Sequence, residues 1–266
     1  MIADELQWRH LVPGEMIYSN EVHVWREFLD LTTLQSKQLR GILSDDELVR
    51  AGRLRFERDQ KRFIAARGIL RMILGRYLGE NPQKIHFEYL PNGKPILSTK
   101  PGSDTLRFNL SHSGEMALYA VARGRNIGVD IERIRDDVAV EQIADKFFSH
   151  DEISSLGNSH KKKRNEVFFR YWTRKEAFLK ATGEGISFPM EQFDVSLMNE
   201  TDLSPIIFPG DKTESPRWYV KDLFPGAGYA AAIAGERGDW DLSYWHTSAC
   251  KYLIKRTTLP LRPYSG

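Results

Sequence analysis

The chain has 266 residues, 41% of them hydrophobic and 28% charged, with a formal net charge of +2 at pH 7. That length fits one large domain or two small ones, and the near balance of charge argues against a dedicated nucleic-acid binder. A single cysteine, Cys250, excludes an intrachain disulfide and a thiolate zinc cluster, and neither a secretion signal nor an apolar run of membrane-spanning length is evident, so a soluble cytoplasmic protein is expected.

Residues 44 to 79 read as helical. Ser44 is a candidate N-cap, and Asp45, Asp46 and Glu47 fill the first turn, where carboxylates suit the helix dipole. A second helical stretch repeats apolar residues at Phe63, Ala66, Leu70, Ile73 and Tyr77. In "FEYLPNGKPIL", Pro91, Asn92 and Gly93 are turn formers, and Lys94 follows as a cation on a rigid turn. "LRFNLSHSG" reads as a strand running into a loop that carries Ser111 and His112. "MALYAVA" (116–122) reads as a buried strand, and "RGRN" as the turn of a hairpin leading into "IGVDIE". Residues 140 to 183 are helical again, with a polar break at "GNSHKKKR"; strands and loops dominate beyond 184. "GEMALYAVARGR" (114–125) echoes "GAGYAAAIAGER" (226–237), and each follows a helix of similar style. The echo predicts two related α/β halves joined near residues 123 to 127.

The chemistry concentrates in two places. In "GVDIERIR" (128–135), Val129 and Ile131 alternate with Asp130 and Glu132. A half-buried strand has this period, so both acids would leave one face. In "WTRKEAFLK" (172–180), Glu176 and Lys180 are four apart and share a helix face, while Phe169, Trp172 and Leu179 are spaced to pack a neighbouring side. If Glu176 approaches Asp130 and Glu132, three carboxylates repel one another unless a cation lies between them. Oxygen ligands favour a hard ion, Mg2+ or Mn2+, and a lysine one turn away would neutralise a phosphate bound to that ion. The same residues also have a plainer reading: solvent-facing acids on an edge strand, and a surface Glu–Lys pair worth about 0.3–0.5 kcal/mol. Ser111 and His112 suit a phosphate or nucleotide, and Arg62 and Arg67 on the first long helix are further anion-site candidates. Each of these also reads as a satisfied turn or a solvated charge.

The pieces occur together and in order in one family. Through "NGKPIL", "FNLSHSG", "IGVDIERI", "FFSHDEISSL" and "RYWTRKEAFLKATGEGI", the sequence resembles the 4'-phosphopantetheinyl transferases of the surfactin-synthetase-activating (Sfp-like) type over roughly residues 50 to 245. The pairing of "GVDIE" with W-x-x-K-E-A-x-x-K is the specific part of the match. The resemblance implies an α+β fold of two similar α/β halves related by pseudo-two-fold symmetry, here 1–124 and 125–247, followed by a tail, 248–266. It implies transfer of the 4'-phosphopantetheine arm of coenzyme A to a serine of an apo acyl or peptidyl carrier protein, with release of 3',5'-ADP. By position, Asp130, Glu132 and Glu176 would bind Mg2+, and Lys180 would contact the diphosphate. Ser111 and His112 would lie at the adenosine and 3'-phosphate end, with Lys94 close by. Arg62 and Arg67 fall where the family carries basic contacts to the 3'-phosphate. Glu176, or Glu152 in "FFSHDE", would help deprotonate the carrier serine. Glu184 stands where many relatives carry lysine or another residue.

The partners expected are coenzyme A and an acidic helical carrier, with no nucleic acid and no membrane. Two halves in one chain imply a monomer that builds its site internally. "KKKR" (161–164) and "GRLRFERDQKR" (52–62) are candidate basic lips for the carrier, with solvated helix faces as the plainer reading. Two rivals use the same residues. A Mg2+-dependent phosphohydrolase would act on coenzyme A-like diphosphates without a protein acceptor. A binding module would hold coenzyme A or a carrier without chemistry.

Overall fold

The computed structural model describes residues 8–10, 16–98, 106–185, 188–195, 203–208 and 216–246. The chain runs through β1 (Arg9–His10) and β2 (Glu21–Phe28) into α1 (Thr33–Arg40), α2 (Asp45–Gly52) and α3 (Glu57–Leu78). A short ribbon, β3 (Phe87–Tyr89) and β4 (Pro95–Leu97), leads to β5 (Leu106–Ser113) and β6 (Met116–Arg123). Then β7 (Ile127–Arg133) opens a second run of the same kind, with α4 (Val140–Phe147), α5 (His150–Asn158) and α6 (Arg164–Thr182). It closes with β8 (Asp194–Val195), β9 (Ser204–Ile207), β10 (Trp218–Leu223), β11 (Tyr229–Glu236) and β12 (Asp241–His246).

The first sheet has the order β1-β12-β2-β6-β5 and the second β7-β11-β10-β9-β8. Within them, β2-β6-β5 and β7-β11-β10 repeat one antiparallel plan: a strand, then helices, then a hairpin whose second strand takes the middle place. The two segments that echo each other in sequence are β6 and β11, which hold equivalent places. The class is α+β, as expected.

Alternation of side chains sorts the core into layers. On β6, Ala117, Tyr119 and Val121 face α3, with Ile69, Leu70 and Ile73 packed on them. The opposite face, Leu118 and Ala120, meets Val129, Ile131, Ala231 and Ile233 of the second sheet. The outer face of β11, with Ala230, Ala232 and Ala234, packs on Ala177, Phe178 and Ala181 of α6. The order is helix, sheet, sheet, helix. Among the described residues, no helix is long and apolar enough to cross a membrane.

Four expectations change. The β6–turn–β7 segment is not a hairpin: β6 has β2 and β5 on its two edges, so β7 passes to the second sheet and pairs with β11. Second, β7 is not half-buried; it is covered on both faces, and Asp130 is only 2% exposed. Third, "NLSHS" is strand rather than loop, because β5 continues to Ser113 opposite Met116. Finally, β12, expected within the second half, lies parallel to β2 in the first sheet. The tail and Cys250 lie outside the described residues.

The junction that positions the site is β7 on α6. A Cβ at Gly128 would stand 2.1 Å from Ala177 O and 2.3 Å from Ala181 N, so only glycine lets the strand reach the helix backbone. Gly128→Ala should therefore cost about 3 kcal/mol in urea unfolding. The matched control Gly52→Ala, with nothing within 4 Å of its new methyl group, should be neutral or mildly stabilising.

Candidate active site

Strands β5 and β7 each end a sheet, and their free edges face one another. Side chains stitch the seam. Asn109, Ser111 and Ser113 share one face of β5 by the period of two. Asn109 Oδ1 accepts from Val129 N at 2.9 Å. Ser111 Oγ donates to Asp130 Oδ1 at 2.8 Å, and Ser113 Oγ donates to Glu132 Oε2 at 2.7 Å. The Ser113 hydroxyl also accepts from Arg133 N at 3.1 Å. Three short polar residues thus bridge the edge backbone of β7 and one oxygen of each acid.

Helix α6 brings the remaining groups. Lys180 Nζ lies 2.5 Å from Asp130 Oδ1 and donates to Ser111 Oγ at 2.8 Å. Asp130 Oδ2 is buried with no hydrogen-bond partner. Burial, and then the charge of Asp130, push the Glu176 carboxyl up to about 7; Lys180 pulls the other way and Glu132 adds to the rise. Glu132 is raised by burial and by Asp130, against the Ser113 hydroxyl. The structure thus brings Asp130, Glu132, Glu176, Lys180 and Ser111 together. Three carboxylates face one lysine, with one oxygen orphaned and one acid held near neutrality. That all-oxygen set fits a hard divalent cation. Among the described residues, the acids do not yet converge on one point, and the Lys180 ammonium lies on Asp130.

Beside this cluster opens a cleft of about 340 Å³, lined among others by Arg50, Arg67, Tyr89, Ser111, His112 and Lys180. The Arg50 guanidinium lies 3.7 Å from the centre of the Tyr89 ring. Arg67 gives Nε to Glu47 at 2.7 Å and Nη2 to Tyr89 Oη at 3.1 Å. His112 is at the water-accessible mouth; its crowding by protein, then the charges of Lys180 and Arg62, hold the imidazole below its ordinary pKa.

Other expected site residues are placed elsewhere. Arg62 forms a two-pronged pair with Asp30 at 2.9 and 3.0 Å and is not among the cleft-lining residues. Lys94 caps the end of α6: its ammonium donates to Lys180 O, and to Ala181 O at 3.1 Å. Burial, with Arg107 adding, lowers its pKa to about 8. Glu152 is not brought to the acid cluster. It is 3% exposed; its Oε2 accepts from Ser149 N and pairs with Lys175 at 2.9 Å, while Oε1 accepts from Val195 N. A carboxylate so occupied is a structural strut. Glu184 is exposed just past α6.

Sequence reasoning gave Asn109 and Ser113 no part in this seam and missed Arg50 and Tyr89. For the first two a signal existed, the alternation N-L-S-H-S matching V-D-I-E in period. For Arg50 and Tyr89 there was none, because only the packing of α2 against the β3–β4 ribbon brings them to one wall.

Comparison with known proteins follows the same geometry. A family model described as the 4'-phosphopantetheinyl transferase superfamily matches residues 126–234, and one described as 4'-phosphopantetheinyl transferase, N-terminal, matches residues 32–123. The 4'-phosphopantetheinyl transferase HetI of a Nostoc species is 40% identical over 239 residues, covering 90% of this chain and 98% of the relative. The 4'-phosphopantetheinyl transferase psf-1 of Bacillus pumilus is 35% identical over 62% of this chain and 69% of its own. Among solved structures, the Thermotoga maritima holo-[acyl-carrier-protein] synthase aligns to 42% of this chain and 62% of its own, at 18% identity and a TM-score of 0.34. Matched in both parts of its length, the chain belongs to the 4'-phosphopantetheinyl transferase family of enzymes.

Proposed function

We propose that this enzyme moves the 4'-phosphopantetheine arm of coenzyme A onto a serine of an apo acyl or peptidyl carrier protein and releases 3',5'-ADP. Family membership supports the transfer. The observation that carries the residue roles is the acid cluster with an unpartnered Asp130 oxygen beside Lys180, at the edge of an arginine-bearing cleft. In this reading Asp130, Glu132 and Glu176 hold Mg2+, with Mn2+ as the substitute. When bound, the ion draws negative charge from the diphosphate oxygens.

The chain's own residues supply the rest. Arg67, Arg50 and His112 hold the nucleotide end in the cleft. Lys180 turns its ammonium to the diphosphate, where charge grows on the leaving phosphate oxygen as its bond to phosphorus breaks. The carrier serine is a weak nucleophile at neutral pH and needs a base. Glu176, the carboxylate that α6 brings to the cluster, takes the serine proton, directly or through a water. Glu152 is left out, since partners occupy both of its oxygens. The division at 124/125 and a monomeric, cytoplasmic enzyme complete the reading, because the seam between β5 and β7 is built from one chain.

Two outcomes follow. Intact-mass spectrometry of a purified apo carrier, incubated with the enzyme, coenzyme A and Mg2+, should show the gain of one arm. Asp130→Ala or EDTA should slow it by at least about 100-fold. Coenzyme A consumed with no gain on the carrier would instead support a phosphohydrolase. Separately, Glu152→Gln should lower stability by about 3–5 kcal/mol, since Lys175 is left buried without its carboxylate partner. Measured on folded protein, its kcat should stay close to wild type. Glu176→Gln should show the reverse, a kept melting temperature and a lost kcat.

A further inference from the structure

The β3–β4 ribbon is fixed at both ends. Its base packs on β5 of the first sheet, where the Phe87 and Phe108 ring centres are 5.5 Å apart. Its flank carries Tyr89 into the active-site cleft. Its tip, the turn at 91–94, is drawn tight by Gly93 N to Leu90 O at 2.7 Å, Leu90 N to Lys94 O at 2.9 Å and Lys94 N to Asn92 Oδ1 at 3.2 Å. From that tip two side chains reach the end of α6, the helix that packs on the second sheet.

The last carbonyl oxygens of a helix have no partner inside it. For α6 the ribbon supplies donors. The Lys94 ammonium donates to Lys180 O and, at 3.1 Å, to Ala181 O. The Asn92 amide donates to Gly183 O. Gly183, with φ of 81°, ends the helix and lets the ribbon come close: a Cβ there would stand 3.3 Å from Leu90 Cδ1. A cation at this end also suits the negative pole of the helix dipole. Two observations tie the cap to the chemistry. The residue whose carbonyl oxygen takes Lys94 is Lys180 itself, whose ammonium lies on Asp130 and Ser111. The Lys94 side chain also leaves the cleft: Gly93 and Pro95, on either side of it, line the cleft, and Lys94 does not.

We propose that Lys94 and Asn92 are positioning residues of the transfer: they hold the last turn of α6, and with it the Lys180 ammonium, within reach of the diphosphate, and their side chains act through the helix rather than on coenzyme A. This rests on the reading of Lys180 as the group that meets the diphosphate. Helix ends fray, and Lys180 is two residues from the end of α6. A misplacement of about 1 Å at a reacting group can cost about 100-fold in rate, so a last turn left uncapped is felt in catalysis before it is felt in binding. The cap thereby links the two sheets through the one residue whose ammonium must be aimed.

The test joins NMR of the lysine ammonium groups to steady-state kinetics of carrier modification, both on the full chain. The variants are Lys94→Met, Lys94→Arg and Asn92→Ala, with Lys180→Ala to assign the Lys180 signal. Lys94→Met should shift or broaden that signal and lower kcat by about tenfold or more, with KM for coenzyme A within about twofold of wild type. Asn92→Ala, at an exposed turn, should fold as wild type does and lower kcat in the same way, by less. Lys94→Arg keeps donors for both carbonyl oxygens and should recover most of kcat. In the Lys180→Ala background, Lys94→Met should change kcat by less than about twofold. An unmoved Lys180 signal in Lys94→Met, an equal loss of kcat with Lys180 absent, or a raised KM for coenzyme A with kcat kept would overturn the positioning alone. Full kcat in Lys180→Ala would overturn the role of Lys180 in the transfer, and the positioning with it.

Discussion

The whole arrangement hangs on one close approach, that of β7 to the bare backbone of α6. Gly128 has no side chain to hold the two apart, and Ala177 and Ala181, one turn apart on the helix, present the surface it meets. Once the strand is seated there, alternation leaves no choice about the next residues on its face. Asp130 and Glu132 are carried in the same direction, toward Glu176 and Lys180. The opposite face, Val129 and Ile131, is taken by the first sheet. A strand covered on both sides has no room for water around Asp130. Lys180 and Ser111 reach one of its oxygens, which offsets part of the cost of burying it.

The fold buries acids elsewhere, and the comparison separates support from site. Glu47 lies between Arg67 and Arg71, with Nε–O distances of 2.7 and 2.6 Å. Asp222 lies between Arg170 and Arg174 with 2.6 Å contacts to each. Glu152 has Lys175 and two backbone N–H groups, and Lys175 gives its other donors to Met190 O and Phe193 O. In each of these the carboxylate oxygens all have partners, and such buried pairs hold elements in register, while Arg67 also lines the cleft. Around Asp130 the count differs: one lysine for three acids, an oxygen without a partner, and a glutamate near neutrality. A shortfall of positive charge at the lip of a cleft is a physical mark of a site that expects something to bind.

Local pattern carried much of this. The 3.6-residue period of Phe63, Ala66, Leu70, Ile73 and Tyr77 described α3, and all five pack in one cluster. The acids of 128–132 and the Glu176–Lys180 face were legible for the same reason, since period and spacing alone put them on one side of their elements. Pairing was not legible. "RGRN" looks like a hairpin turn, and nothing nearby in sequence says that both edges of β6 are already taken. Arg67 looks like an anion contact, and its first partner, Glu47, comes from a helix twenty positions earlier. For Glu152 the signal was present: Ser149 and Glu152 have the spacing of a capping box, which is what they form.

The most direct measurement is Mn2+ binding by electron paramagnetic resonance, on wild type and on Asp130→Asn, each with coenzyme A present. If the unsatisfied acids at the seam hold the ion, wild type binds one Mn2+ per chain and Asp130→Asn binds none in the same range. Wild type without bound Mn2+, or an Asp130→Asn chain that binds it as well as wild type, would contradict the reading of Asp130, Glu132 and Glu176 as the cation site.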